Sequence, residues 1–154
     1  MPTERLTRFL DQQGVAYETI PHVKAYTAQG VAASAHVPGR ELAKTVVVKI
    51  DDTFALAVLP APLHVDLEAL RRVARARSVR LATEREFQSL FPGCEVGAMP
   101  PFGNLYGLAV WVDDALAHDP TIVFNAGTHR EAMRMKFADF ARLVMPKEAA
   151  LAVH

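Results

Sequence analysis

Lys44–Pro60, KTVVVKIDDTFALAVLP, is the stretch on which the fold turns. Its halves, KTVVVKI and FALAVLP, are rich in β-branched and apolar residues, and Asp51-Asp52-Thr53 between them supplies turn chemistry. The pair reads as a β-hairpin at the centre of a sheet, because branched side chains fit a pleated surface and short acidic residues tolerate a tight reversal. Lys44 opens the first strand on the face shared with Val46, Val48 and Ile50, which should be buried.

Toward the N-terminus, Thr3 is placed to cap a helix whose Leu6, Phe9 and Leu10 share a face, and Gly14 offers a left-handed stop. Val15–Ile20 alternates like a strand, and Thr27 leads a second short helix, TAQGVAASA, closed by Pro38-Gly39. Toward the C-terminus, Asp66 caps a helix with Leu67, Leu70, Val73 and Ala74 inside and Arg71, Arg72 and Arg75 outside; Arg77 and Arg80 continue the basic run. Thr83-Glu84-Arg85-Glu86 has the capping-box pattern and predicts a short helix to Leu90, ended by Pro92-Gly93. Tyr106–Val112 and Thr121–Asn125 read as strands, Gly127 turns the chain into the alternating AMRMKF, and a last helix lies around Asp139–Val144. Residues 147–154, KEAALAVH, read as a frayed helical tail. Adjacent strands with helices inserted between them predict an α+β (mixed α/β) domain over residues 1–146, built on a mixed, curved sheet.

Composition narrows the function classes. With 154 residues, 51% hydrophobic and 22% charged, the chain suits one domain with a sizeable core. Basic and acidic residues number 17 each, so there is no global pull toward polyanions; coating of duplex DNA is not expected, whereas a small basic pocket for one RNA end would not show in the total. The lone cysteine, Cys94, excludes an intrachain disulfide framework and fits a reducing cytoplasm. The first residues carry charges through their apolar positions, unlike a signal peptide, and no run of about 18 apolar residues suggests a membrane span.

P-loop, dinucleotide-glycine, HExxH and GxSxG motifs are absent, and the six histidines show no ligand spacing, so neither a metal nor a cofactor is expected. Two features remain. Lys44, a cation beside buried neighbours, either snorkels to water or meets an anion; as a fixed charge at neutral pH it suits holding phosphate better than abstracting a proton. GAMPPFGN, Gly97–Asn104, is stiffened by Pro100 and Pro101, which donate no amide hydrogen and restrain their predecessors to extended angles. Either it is a rigid connector, or the amides of Gly97, Ala98, Met99, Phe102 and Gly103 form an anion nest. Cys94 with His129 as nucleophile and base is the remaining alternative.

In their order and spacing, the Thr27-led segment, LAKTVVVKIDDTFALAVLP, GAMPPFG and FNAGTHREAMRMKFADFARL resemble the YbaK/prolyl-tRNA synthetase-associated editing domain. The resemblance spans nearly the whole chain and implies a strongly curved sheet flanked by helices, with hydrolysis of mischarged aminoacyl-tRNA by a free-standing, trans-acting member. It implies that Lys44 sits near the terminal nucleotide of the acceptor end, that Gly97, Ala98, Met99 and Pro101 hold the aminoacyl carbonyl, and that Phe102, Gly103, His129 and Thr27 help bind the substrate. The expected substrate is a small amino acid such as alanine or cysteine on proline tRNA, in the cytoplasm, with an aminoacyl-tRNA synthetase as a further partner. The alternative is a non-catalytic module that binds an aminoacyl-tRNA end, a nucleotide or a synthetase.

Overall fold

The computed structural model of the protein describes residues 3–22 and 41–153. In chain order these form α1 (Glu4–Gln13), β1 (Tyr17–Pro21), β2 (Leu42–Ile50), β3 (Thr53–Pro60), β4 (His64–Val65), α2 (Leu67–Ala74), β5 (Val79–Leu81) and α3 (Glu84–Phe87). There follow β6 (Ala109–Asp113), α4 (Asp114–Ala117), β7 (Thr121–Thr128), β8 (Glu131–Lys136), α5 (Phe137–Val144), β9 (Lys147–Ala149) and β10 (Ala152–Val153). The helix expected after Thr27, and Thr27 itself, lie outside the described residues.

The hairpin forms as read: β2 and β3 pair antiparallel from Ala43↔Pro60 to Ile50↔Thr53 around Asp51, whose φ of 53° lies in the left-handed region. It sits at the middle of a curled mixed sheet ordered β1-β8-β7-β2-β3-β6-β9, with β5 also on β2. β2–β7, β3–β6 and β6–β9 are parallel and the other pairings antiparallel. One face packs on α1 and α5 through Leu6, Leu10, Leu56, Val58, Phe102, Phe124 and Phe140; the other packs on α2 through Val48, Ala57, Leu70, Trp111 and Leu151. Helices thus flank the sheet on both faces.

A feature of β2 positions the site. Its edge away from β3 is shared by two strands: β7 pairs with Leu42 and Ala43, whereas β5 pairs with Val48, Lys49 and Ile50. The two partners diverge, and the ladder with β7 stops at the residue before Lys44. An open sheet presents crevices where neighbouring strands part, which is where ligands commonly enter.

Several local expectations change. Thr3 makes no side-chain cap; its amide donates to the Ala126 carbonyl (2.9 Å) and its side chain lies against Gly127, so it locks α1 to the end of β7. Val73 is 46% exposed rather than inside, because α2 is short and buries only Leu70. The strand expected from Tyr106 begins at Ala109, since Gly103–Leu105 coils into a 3₁₀ turn first. The helical tail is replaced by β9 and β10: the buried Asp113 carboxylate accepts the Leu151 amide (2.8 Å), and the Leu151 carbonyl accepts the Asp66 amide (2.6 Å). Two long-range hydrogen bonds thus hold extended a segment whose local propensity is helical.

The arginine run from Arg71 to Arg80 is largely occupied on the surface. Arg71 grips Glu68 (2.6 Å) and Arg80 grips Glu86 (2.7 Å), holding both carboxyls near a pKa of about 2. Glu86 also completes the capping box with Thr83, as its sequence pattern anticipates.

Candidate active site

The Gly97 loop and the β7–β8 turn are built against each other. The Ala98 carbonyl accepts the Gly127 amide (2.9 Å), the Gly127 carbonyl accepts the Glu95 amide (2.8 Å), and the Glu95 carboxylate accepts the His129 amide (2.8 Å). The His129 ring, 5% exposed, has Nε2 2.8 Å from the Val96 carbonyl oxygen. A carbonyl only accepts, so Nε2 carries a proton and is committed to orienting the ring rather than to acting as a base. A Cβ on Gly97, whose φ is +86°, would stand 3.5 Å from His129 Cε1. Two segments about 30 residues apart in sequence thus meet at Gly97 and His129, as a common site needs.

The loop amides sort into used and unused. Ala98, expected among the donors, instead gives its hydrogen to the Glu95 carbonyl (3.1 Å), which closes the turn. Gly97 donates to its neighbour's thioether, Met99 Sδ, at 3.2 Å, a weak acceptor that a ligand oxygen would readily replace. The amides of Met99, Phe102 and Gly103 have no acceptor among the described residues. Buried amides without partners are costly, and such groups are what a carbonyl oxygen or an anion would satisfy. Pro100 and Pro101 are buried and hold the loop extended between those donors.

Phe102 departs from its expected role. Its ring is fully buried and meets Phe9, Phe124 and Phe140 edge-on at centroid distances of 6.3, 5.4 and 5.5 Å, so it anchors the loop in the core instead of walling a pocket. Gly103 is likewise structural: a Cβ there would lie 2.4 Å from the Leu108 carbonyl oxygen, a backbone atom. Gly103→Ala is expected to cost about 3 kcal/mol, the upper end of ordinary overpacking, and denaturant unfolding would read it.

Lys44 lies at the split in the sheet, partly buried, and has no carboxylate partner among the described residues. Burial lowers its pKa from the ordinary lysine value, since a desolvated ammonium is less favourable. Lys49, five residues on, points to the other face and lies over the Phe54 ring at 5.5 Å. Along β7 the chain runs from Phe124, beside Ala43, through Asn125 to Gly127, where the loop is tied, and on to His129. The split, at mid-strand, and the loop, at the strand's end, therefore both border the second half of β7.

Comparison with known proteins supplies the family. The model of the aminoacyl-tRNA editing domain matches residues 22–143, most of the chain. The chain belongs to the aminoacyl-tRNA editing domain family. Membership brings a reaction class with it, hydrolysis of the ester joining an amino acid to tRNA. The editing domain is 28% identical over 149 residues to the multifunctional Ser/Thr-tRNA deacylase ProXp-y of Escherichia coli K12, covering 94% of this chain and 89% of that one. It is 28% identical over 107 residues to a proline–tRNA ligase of Bacillus cytotoxicus, covering 70% of this chain and 19% of the ligase. Among solved structures, a hypothetical protein superposes with a TM-score of 0.87 at 19% identity, over 97% of this chain and 100% of that one. A proposed trans-editing enzyme for prolyl tRNA synthetase does so at 0.82 and 22% identity, over 97% and 96%. These superpositions establish the fold, a curled mixed sheet with flanking helices.

In this editing domain Cys94 is not an activated nucleophile. Burial pushes its thiol pKa up, and its sulfur lies 3.2 Å from the Tyr106 hydroxyl rather than beside a base. Thiolate, not thiol, is the reactive form, so Cys94→Ser should leave deacylation within about twofold of wild type in single-turnover assays. Sequence reading passed over Asn125, which stands where β7 leaves β2; only the strand pairing reveals that position.

Proposed function

We propose that the protein is a free-standing deacylase, acting in trans in the cytoplasm, that removes a small, wrongly attached amino acid from the acceptor end of tRNA. Alanine or cysteine on proline tRNA is the sequence-based expectation, and the name of the E. coli relative adds serine and threonine to the candidates. The observation that carries the reading is Lys44: an ammonium partly withdrawn from water, with no carboxylate partner among the described residues, at the point where β7 parts from β2. Such a group is stabilised by an anion from outside, and the acceptor-end phosphate is the anion an editing substrate brings.

In this reading Lys44 holds the phosphate of the terminal adenosine. The unused amides of Met99, Phe102 and Gly103, with that of Gly97 once it leaves its weak thioether acceptor, polarise the ester carbonyl, with Ala98 and Pro101 fixing their geometry. Water, helped by a hydroxyl of the terminal ribose, adds to the carbonyl carbon; the ester C–O bond then breaks, releasing the amino acid and the free ribose hydroxyl. His129 braces the loop. A synthetase pocket gains only about 1–3 kcal/mol from one methylene, so a second, hydrolytic selection is useful for small residues. Purified protein should release amino acid from at least one member of a panel of alanyl-, cysteinyl-, seryl- and threonyl-tRNAs in a single turnover. Binding of charged tRNA without release from any of them would favour a non-catalytic module and defeat the reading.

A further inference from the structure

Asn125 is the polar residue that the editing reading leaves without a task. It is paired with Ala132 of β8, and Ala132 with Ile20 of β1; on its other side, the pairing of β7 with β2 ends at Ala43↔Phe124, so Asn125 and Lys44 are the first residues past the parting, and Lys44 pairs with Leu59 of β3. Ile20, Ala132 and Asn125 thus form one row and Lys44 and Leu59 another, and alternation from the last pair, Ala43↔Phe124, puts both on the same sheet face where β7 and β2 part. Ala132 and Leu59 are 0% and 1% exposed, so each of the two polar residues has a buried apolar neighbour on its paired strand. The Oδ1 of Asn125 is enclosed and has no hydrogen-bond partner among the described residues. An enclosed carbonyl oxygen without a donor is costly, and in a binding site it selects ligands that bring one.

The donor can be narrowed by charge. The α-ammonium of an aminoacyl group would bring a second cation against Lys44, which like-charge repulsion disfavours. A neutral hydroxyl carries no such penalty. The ribose hydroxyl is shared by every charged tRNA, and the deacylase reading uses it to assist water. We propose that Asn125 is a specificity-determining residue whose side-chain oxygen accepts a hydrogen bond from the side-chain hydroxyl of the aminoacyl group, so that the site favours hydroxy amino acids, serine and threonine, over alanine.

This inference rests on the deacylase reading, and the test separates the two. Seryl and alanyl esters of one tRNA would be compared in single-turnover kinetics with wild type, Asn125→Ala and Asn125→Val, with thermal unfolding of each as a folding check. Both variants remove the acceptor, one leaving space and the other keeping a strand-forming side chain. Wild type should release serine faster than alanine. Each folded variant should lose on the order of 10- to 100-fold in kcat/KM on the seryl ester, the range for one unsatisfied buried hydrogen bond, and change less than about threefold on the alanyl ester. Equal losses on both esters, no loss on either, or a wild-type preference for alanine would overturn the Asn125 assignment while leaving the deacylase reading intact. Release of neither amino acid by wild type, from these or the other panel substrates, would overturn both.

Discussion

Gly97→Ala should reduce the single-turnover deacylation rate by roughly 10²–10³-fold while leaving affinity for charged tRNA within a fewfold, because in the proposed mechanism the loop's amides act on the ester carbonyl and not on the tRNA body. Gly97 has φ +86°, where an L side chain is strained, and the added methyl would lie 3.5 Å from His129 Cε1. That contact is ordinary packing, so the loss comes from backbone angles: alanine pulls the chain toward negative φ and re-aims the adjacent amides. Gly97 itself is exposed, so thermal stability should fall by only about 1 kcal/mol. A large activity loss with a small stability loss distinguishes a positioning loop from a stiff connector. Equal loss in both would support the connector.

Lys44→Ala should lower kcat/KM by about 100-fold or more, chiefly through weaker substrate engagement, whereas Lys49→Ala should stay within about threefold. The two lysines share a strand but face opposite ways, and Lys49 is engaged with Phe54. Lys44 also fixes a pH dependence. Burial lowers its pKa, so in the free protein it loses charge at a pH below the ordinary lysine value near ~10.4. As pH rises through that lowered pKa, phosphate affinity is lost, so the alkaline limb of kcat/KM should fall earlier than an exposed lysine allows. The limb should disappear in Lys44→Ala. Its persistence there, or equal effects of the two lysine replacements, would contradict the assignment.

The fold was legible where residues close in sequence dictate it. The β2–β3 hairpin follows from two branched runs around Asp51-Asp52, and α3 from a capping box four residues long. Distant partners were not legible. The tail becomes β9 and β10 because Asp113, 38 residues before Leu151, binds its amide, and no local pattern announces that bond. The site divided in the same way. Lys44 and the Gly97 loop stood out because a cation amid valines and paired prolines between glycines are locally odd. The side chain of Phe102, expected to help bind the substrate, turns into the core because Phe9, Phe124 and Phe140, distant in sequence, close over it. Asn125 looked like the end of an ordinary strand, and its position matters only because β7 leaves β2 there.

Labelled amino-acid release by wild type, Lys44→Ala and Gly97→Ala tests whether Lys44 and the Gly97 loop together form an ester-hydrolysing site. On the best substrate of the panel, wild type should release amino acid in a single exponential. Lys44→Ala should be slowed at subsaturating enzyme and partly rescued at high enzyme concentration, whereas Gly97→Ala should stay slow at any concentration. Release by wild type that neither replacement alters would contradict the account.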